Sequence, residues 1–229
     1  MHRLLLLLAL ILAIPSWAQS ARALNTEGFR LYQSGRYPEA LEKFEAAARA
    51  DPTFALAHYN VAATLGVLRK KGQVCAYSAH RTTILERLNT AVRLDPRRLA
   101  RAKEDADLDP IRDTVGWQRL LGLSPAKQAD VPELLRRVTW YSPGEGVYGS
   151  TRRLTFAEGT RVVLWRRVIN DEANPTRTEE VTGSYTVNGR TLTLTFPGKR
   201  PLQGRMTARG VLELAEWGTF LDSPSECEA

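Results

Sequence analysis

Cysteine, histidine and long apolar runs are all scarce in this chain. Its 229 residues include two cysteines and three histidines. No HExxH, CxxC, Gly-rich phosphate loop or Ser-elbow motif occurs, so the chemistries those spacings serve have no candidate here. His2 falls in the N-terminal leader, which leaves His58 and His80. His80 lies close to Cys75 in sequence, but no acid is placed to orient the two as base and nucleophile. Asp105, Asp107 and Asp109 alternate, yet Pro110 follows at once, which fits helix termini better than a calcium loop. The chain therefore reads as a non-enzyme, with no cofactor and no metal.

The one long apolar run, Leu4 to Ile14, follows the basic Arg3 and stops at Pro15. It is too short for a bilayer, which needs about 20 residues. Ser16-Trp17-Ala18 offers small residues where a signal peptidase reads. Residues 1–18 are thus expected to be a signal peptide, cleaved after Ala18. No cysteine follows the run to carry a lipid, so the mature chain is expected to be periplasmic or secreted, without a transmembrane segment. Formal charge is +7, and the excess sits early: residues 19–130 hold 18 basic against 13 acidic residues, residues 131–229 hold 13 against 12. Basic chains often bind nucleic acid, but export argues against that. It leaves an anionic envelope polymer as a candidate partner, or simply an Arg-rich solvated surface. Cys75 and Cys227 admit two readings in an oxidising compartment. A disulfide would close a long loop and contribute roughly 5 kcal/mol by chain entropy; otherwise the two are unrelated thiols.

In the stretch beginning at Ala21, Leu24, Gly28 and Leu31 share one helix face. Gly35 suits a helix end, and Pro38 suits the first turn of the next helix. That helix puts Ala40, Leu41, Phe44, Ala47 and Ala48 on one face and ends at Asp51-Pro52. Gly28 costs about 1 kcal/mol relative to Ala within a helix, an amount that close approach of the partner helix near Ala40 can offset. This spacing resembles the tetratricopeptide repeat, a family of 34-residue helix pairs. Leu24, Gly28, Tyr37, Ala40, Phe44, Ala47 and Pro52 stand at its signature positions.

The resemblance covers residues 21–122. Repeat 1 spans 21–54, and repeat 2 spans 55–97 with an enlarged loop at 70–79. Capping helices span 98–122, broken at Asp109-Pro110. It implies a concave face lined by the first helix of each repeat, here Asn25, Phe29, Tyr32, Tyr59, Asn60 and Ala63. Such a groove holds a protein or peptide partner. Whether it is open or occupied by the second half of the chain stays undecided at this point.

Residues 123–133 carry two prolines and read as a linker. From 134 onward, Thr and Val rise and turn signals recur, which points to an antiparallel β domain over 134–229. Asn188-Gly189 suits a two-residue hairpin turn, which would pair Tyr185 with Leu192. Three-residue turns ending at Gly159 and Gly210 would set Leu154 opposite Val162 and Met206 opposite Leu212. With a first strand at "LRRVTWY", seven or eight strands close as a barrel or a two-sheet sandwich. The domain weakly resembles small lipocalin-like β domains. The overall class is α+β, with a helical repeat array followed by a small barrel or sandwich. If Leu154 and Leu164 face inward, so do Arg152 and Arg166. These two are then candidates to bind a ligand's anion, or else they sit at a rim with their heads in water. The expected function is an exported adaptor holding a protein partner in the cell envelope. The alternative is a carrier or sensor of an amphipathic small molecule in the β domain.

Overall fold

A computed structural model describes residues 20–143, 152–168 and 177–227; the expected signal peptide, residues 1–18, lies outside the described residues. Helices α1 (Ala21–Gln33), α2 (Tyr37–Ala50), α3 (Ala55–Lys70) and α4 (Arg81–Leu94) pack in chain order. Ser20 opens α1 by accepting a hydrogen bond from the Ala23 amide, and Pro38 sits in the first turn of α2. Leu41 and Phe44 from α2 join Val61 and Leu65 from α3 and Ile84 and Leu88 from α4 in one buried cluster. At Gly28 the close approach falls one turn beyond Ala40: an added Cβ would lie 2.8 Å from the Phe44 ring.

The cap differs from the expected two helices. It comprises α5 (Arg98–Glu104), a 3₁₀ turn at Ala106–Ile111 that contains Pro110, and α6 (Val115–Leu120). The break comes at Asp105, whose carboxylate accepts from the Asp107 amide and so caps the 3₁₀ turn. In so short a turn, proline's missing N–H removes at most one bond. Leu108, Ile111 and Trp117 are buried over the last repeat.

The first expected strand begins as helix. Val131, Leu134, Leu135 and Val138 recur at helical spacing, Pro132 sits in the first turn, and Glu133 pairs with Arg136 and Arg137 one turn on. These features make α7 (Val131–Arg137), which takes over the end of the expected linker, and leave only Trp140–Tyr141 as β1.

The remaining strands are β2 (Arg152–Phe156), β3 (Arg161–Val168), β4 (Arg177–Asn188), β5 (Thr191–Thr195), β6 (Leu202–Met206), β7 (Leu212–Leu214) and β8 (Gly218–Phe220). Each pairs antiparallel with the next in a single eight-stranded sheet. Tyr141 and Leu221 then exchange backbone hydrogen bonds of 2.7 and 2.8 Å, which brings the last edge back to the first. The β half is therefore a nearly closed barrel and not a sandwich. Its interior is apolar, with Trp140, Leu154, Tyr185, Leu192 and Phe220 among the buried side chains.

Two hairpin registers differ by two residues from those expected. Tyr185 pairs with Leu194 because the loop is Gly189-Arg190. Gly189 has φ +59°, which suits glycine at the first central position of a type II′ turn, and the Arg190 guanidinium donates to the carbonyls of Pro125 and Ala126. Leu154 likewise pairs with Leu164, since the Ala157 amide bonds Arg161 O and the loop moves one residue on. A slip of two keeps every side chain on its expected face. Met206 does pair with Leu212.

The helical half stoppers one end of the barrel. Val115 and the apolar face of α7 belong to the barrel's own core cluster. Gly210 meets Val115 and Pro125, and Gly189 meets Gln128. The tail after β8 then runs back over the helices. The Arg81 side chain, only 5 % exposed as a residue, donates to Pro110 O at 2.7 Å and Asp222 O at 2.8 Å, and also to the Asp113 carboxylate. Its guanidinium lies 5.7 Å from the centre of the Tyr141 ring. Asp222 in turn accepts from the Val115 amide at 2.8 Å. Further along, Glu226 takes a two-pronged contact from Arg69, and Cys227 is disulfide-bonded to Cys75 with Cα atoms 5.4 Å apart. We expect Arg81→Ala to cost roughly 3 kcal/mol by stranding two carbonyls and a carboxylate at this junction. Urea unfolding followed by both helical circular dichroism and tryptophan fluorescence checks this. An Arg81→Ala stability within 0.5 kcal/mol of the parent, by the ~ scale of neutral surface changes, would refute it.

Candidate functional site

Asn25, Phe29 and Tyr32 occupy successive turns of one face of α1, and Tyr59, Asn60 and Ala63 the facing side of α3. The structure brings all six together. Phe29, Tyr32, Tyr59, Asn60 and Ala63 border a small cavity of about 100 Å³. Asn25, Phe29, Tyr59 and Asn60 border an adjoining groove of about 400 Å³. The Asn60 amide donates to Asn25 Oδ1 at 2.8 Å, which ties α1 to α3 across the floor.

The small cavity is narrowed from one side, and not by the barrel. The segment that begins the 3₁₀ turn crosses α3 at Gly66, where an added Cβ would stand 1.9 Å from the Asp107 carbonyl oxygen. That crossing places two carboxylates over the face. Tyr32 donates its hydroxyl to Asp107, and Tyr59 donates to Asp105 at 2.6 Å. Lys70 steadies Asp107 at 3.1 Å. Burial, and after it the neighbouring carboxylates, push both phenols well above the ordinary tyrosine range. Tyr32 and Tyr59 therefore act as struts between repeat and cap, with their hydroxyls engaged inside the protein.

The larger groove is open. Phe29 is 49 % exposed, the most exposed large apolar side chain among the described residues, and Leu56 shares the groove. Arg98 and Arg101, from α5, form its other lip. Arg98 is held by Asp95 at 3.2 Å, while Arg101 is exposed. The groove thus combines an apolar floor, an amide pair and a basic lip. Sequence reasoning placed the α1 and α3 residues but missed Asp105, Asp107, Arg98 and Arg101. Nothing in their local pattern says that α5 folds back over the repeat face; Gly66, a glycine within α3, was the available sign of a close crossing.

Arg152 and Arg166 stand directly opposite each other on β2 and β3. Arg166 takes its counter-charge from Glu179 on β4, at 2.6 and 2.8 Å, and Arg152 lies over the Trp217 ring at 5.4 Å. They sit far from the helical groove, at the barrel end that α7 does not cover. Among the described residues, no three His, Cys, Asp or Glu side chains gather as a metal site would require. No described helix is long and apolar enough to cross a membrane.

Comparison with known families gives one match: a model of the family described as TPR repeat matches residues 28–66, from Gly28 in α1 through α2 to Gly66 in α3. That repeat is in general a non-catalytic, protein-binding unit. A search of the curated proteins finds no match to the chain.

The two tyrosines set a pH dependence. Their folded pKa values are raised, so the unfolded chain ionises first, near pH 10. Their contribution to stability is complete below that pH and falls as pH rises toward the folded values. Alkaline unfolding should therefore steepen above about pH 10 and flatten in the Tyr32→Phe, Tyr59→Phe double variant. Equal slopes in parent and variant, read by circular dichroism across that range, would contradict the strut assignment.

Proposed function

We propose that this protein is an exported, non-catalytic adaptor whose helical half holds a segment of a protein partner in the groove between Phe29 and Arg101. The observation that carries the reading is the half-exposed Phe29 on the open face of a helix pair that matches the TPR repeat. Phe29 does not stand alone: with Leu56 it lines a preformed recess that also holds an amide pair and a basic lip, and apolar lining with a few convergent polar groups is the usual form of a binding site. The chemistry of the cleft defines the partner. Phe29 and Leu56 accept an apolar side chain, the Asn25–Asn60 pair offers hydrogen bonds to an extended backbone, and Arg101 attracts a carboxylate. An extended segment with an apolar residue next to an acidic residue, or next to the C-terminal carboxylate, meets all three.

Tyr32 and Ala63 line the adjoining small cavity instead, Tyr32 bonded to Asp107 and Ala63 buried. The Cys75–Cys227 bond supports the exported reading, because such bonds persist in oxidising compartments. The envelope is where an adaptor of this kind would act, and an anionic envelope polymer is a weaker partner candidate than a peptide. The Arg-rich helices carry many of their own acids, as in the pairs Lys43–Glu27 and Arg36–Glu39.

Selection from a displayed random-peptide library by the full chain tests the reading. Enriched sequences should place an apolar residue beside a carboxylate. Phe29→Ala should weaken their binding by about tenfold or more, the scale of a truncated apolar anchor, and Arg101→Glu should remove the acidic preference. An enriched set that binds Phe29→Ala as well as the parent would exclude this groove.

A further inference from the structure

We propose that the end of the barrel opposite α7 is a binding site for a small amphipathic organic anion, independent of the helical groove. At the opposite end, α7 and Val115 complete the apolar core. At this end the strands open into a cavity of about 370 Å³. Its floor is apolar, made by Leu164 and Leu202 with the rings of Phe196 and Trp217. Those rings stack with centroids 5.5 Å apart and planes 25° from parallel, which offers a flat wall to an aromatic or acyl body.

The rim is cationic. Arg152, inward-facing at the start of β2, covers the Trp217 ring, and Lys199 and Arg200 come to the same rim from the exposed turn between β5 and β6. Arg166 is neutralised by Glu179, and Glu216 is the acid lining the cavity. Among the described residues Arg152, Lys199 and Arg200 make no ion pair, so three cations face one carboxylate and two remain in excess. Like charges gathered at one mouth repel one another, and an anion bound among them relieves that repulsion. A carboxylate, sulfonate or phosphate head on the rim, with its apolar body against Phe196 and Trp217, satisfies both parts of the cavity. A bare inorganic anion would leave the apolar floor unused, and a neutral body would leave the rim uncompensated.

The test is a titration of the full chain with 8-anilino-1-naphthalenesulfonate, followed by tryptophan quenching and calorimetry. The neutral N-phenyl-1-naphthylamine and inorganic phosphate are titrated alongside. The expected result is saturable one-site binding of the sulfonate, weaker by about tenfold in each of Arg152→Gln and Lys199→Gln, the scale of one charge-assisted contact. The neutral probe should bind both variants as it binds the parent, phosphate should be the weaker anion, and Phe29→Ala should bind the sulfonate unchanged. Lys199 lies on an exposed turn, so its variant remains informative should Arg152→Gln fold poorly. Absence of saturable binding, equal sulfonate affinity in parent and Lys199→Gln, or phosphate binding as tight as the sulfonate would each overturn the assignment.

Discussion

A buried guanidinium holds the two halves of this protein in register. Arg81 opens α4, yet its bonds go to the cap at Pro110 and Asp113 and to the tail at Asp222, while its face rests on Tyr141 of β1. Burial pulls its pKa down from the ordinary arginine value. Such a charge is tolerable only where its donors are met. Because the donors are met by the cap and the tail while the face rests on β1, these three segments are fixed relative to one another. The closure of the barrel depends on the same place: Tyr141, under the guanidinium, is the residue that exchanges hydrogen bonds with Leu221, and Leu221 directly precedes Asp222.

From this junction the two ends of the barrel acquire different characters. One end receives the apolar side of α7 and becomes core. Among the described residues, the other carries long basic side chains and the Phe196–Trp217 pair. A similar division occurs in the helical half. Part of the repeat face is filled by the chain's own cap through Tyr32 and Tyr59, and the remainder, around Phe29, stays in water. In both halves the chain completes itself on one side and leaves a lined recess on the other.

How much of this was legible in the sequence depended on the range of the interaction. The helix pairs were, because Leu24, Gly28, Ala40 and Phe44 carry the pattern within one repeat. The faces of the strands were, because alternation survives even where the turn is misplaced. The registers at Gly159 and Gly189 were not: a glycine marks a turn without saying which position in it the glycine takes, and anchoring by Arg190 to Pro125 and Ala126 is a tertiary fact. α7 was legible but misread, since the spacing of Val131, Leu134, Leu135 and Val138 is helical while the neighbouring Val138-Thr139-Trp140 invites a strand. For the groove, the residues on α1 and α3 could be found by their place in the repeat. Arg98, Arg101, Asp105 and Asp107 could not, because their role exists only once α5 and the turn after it fold back across Gly66. Arg81 looked like one basic residue among many at the start of a helix.

The bond between Cys75 and Cys227 closes a covalent ring of 152 residues in sequence separation, with its first anchor in the loop of the second repeat and its second beyond the last strand. Every element from α4 to β8 lies inside that ring. A chain so ringed stays tethered, tail to second repeat, even where its packing is lost, and its unfolded ensemble is denied the extended states that an open chain would reach.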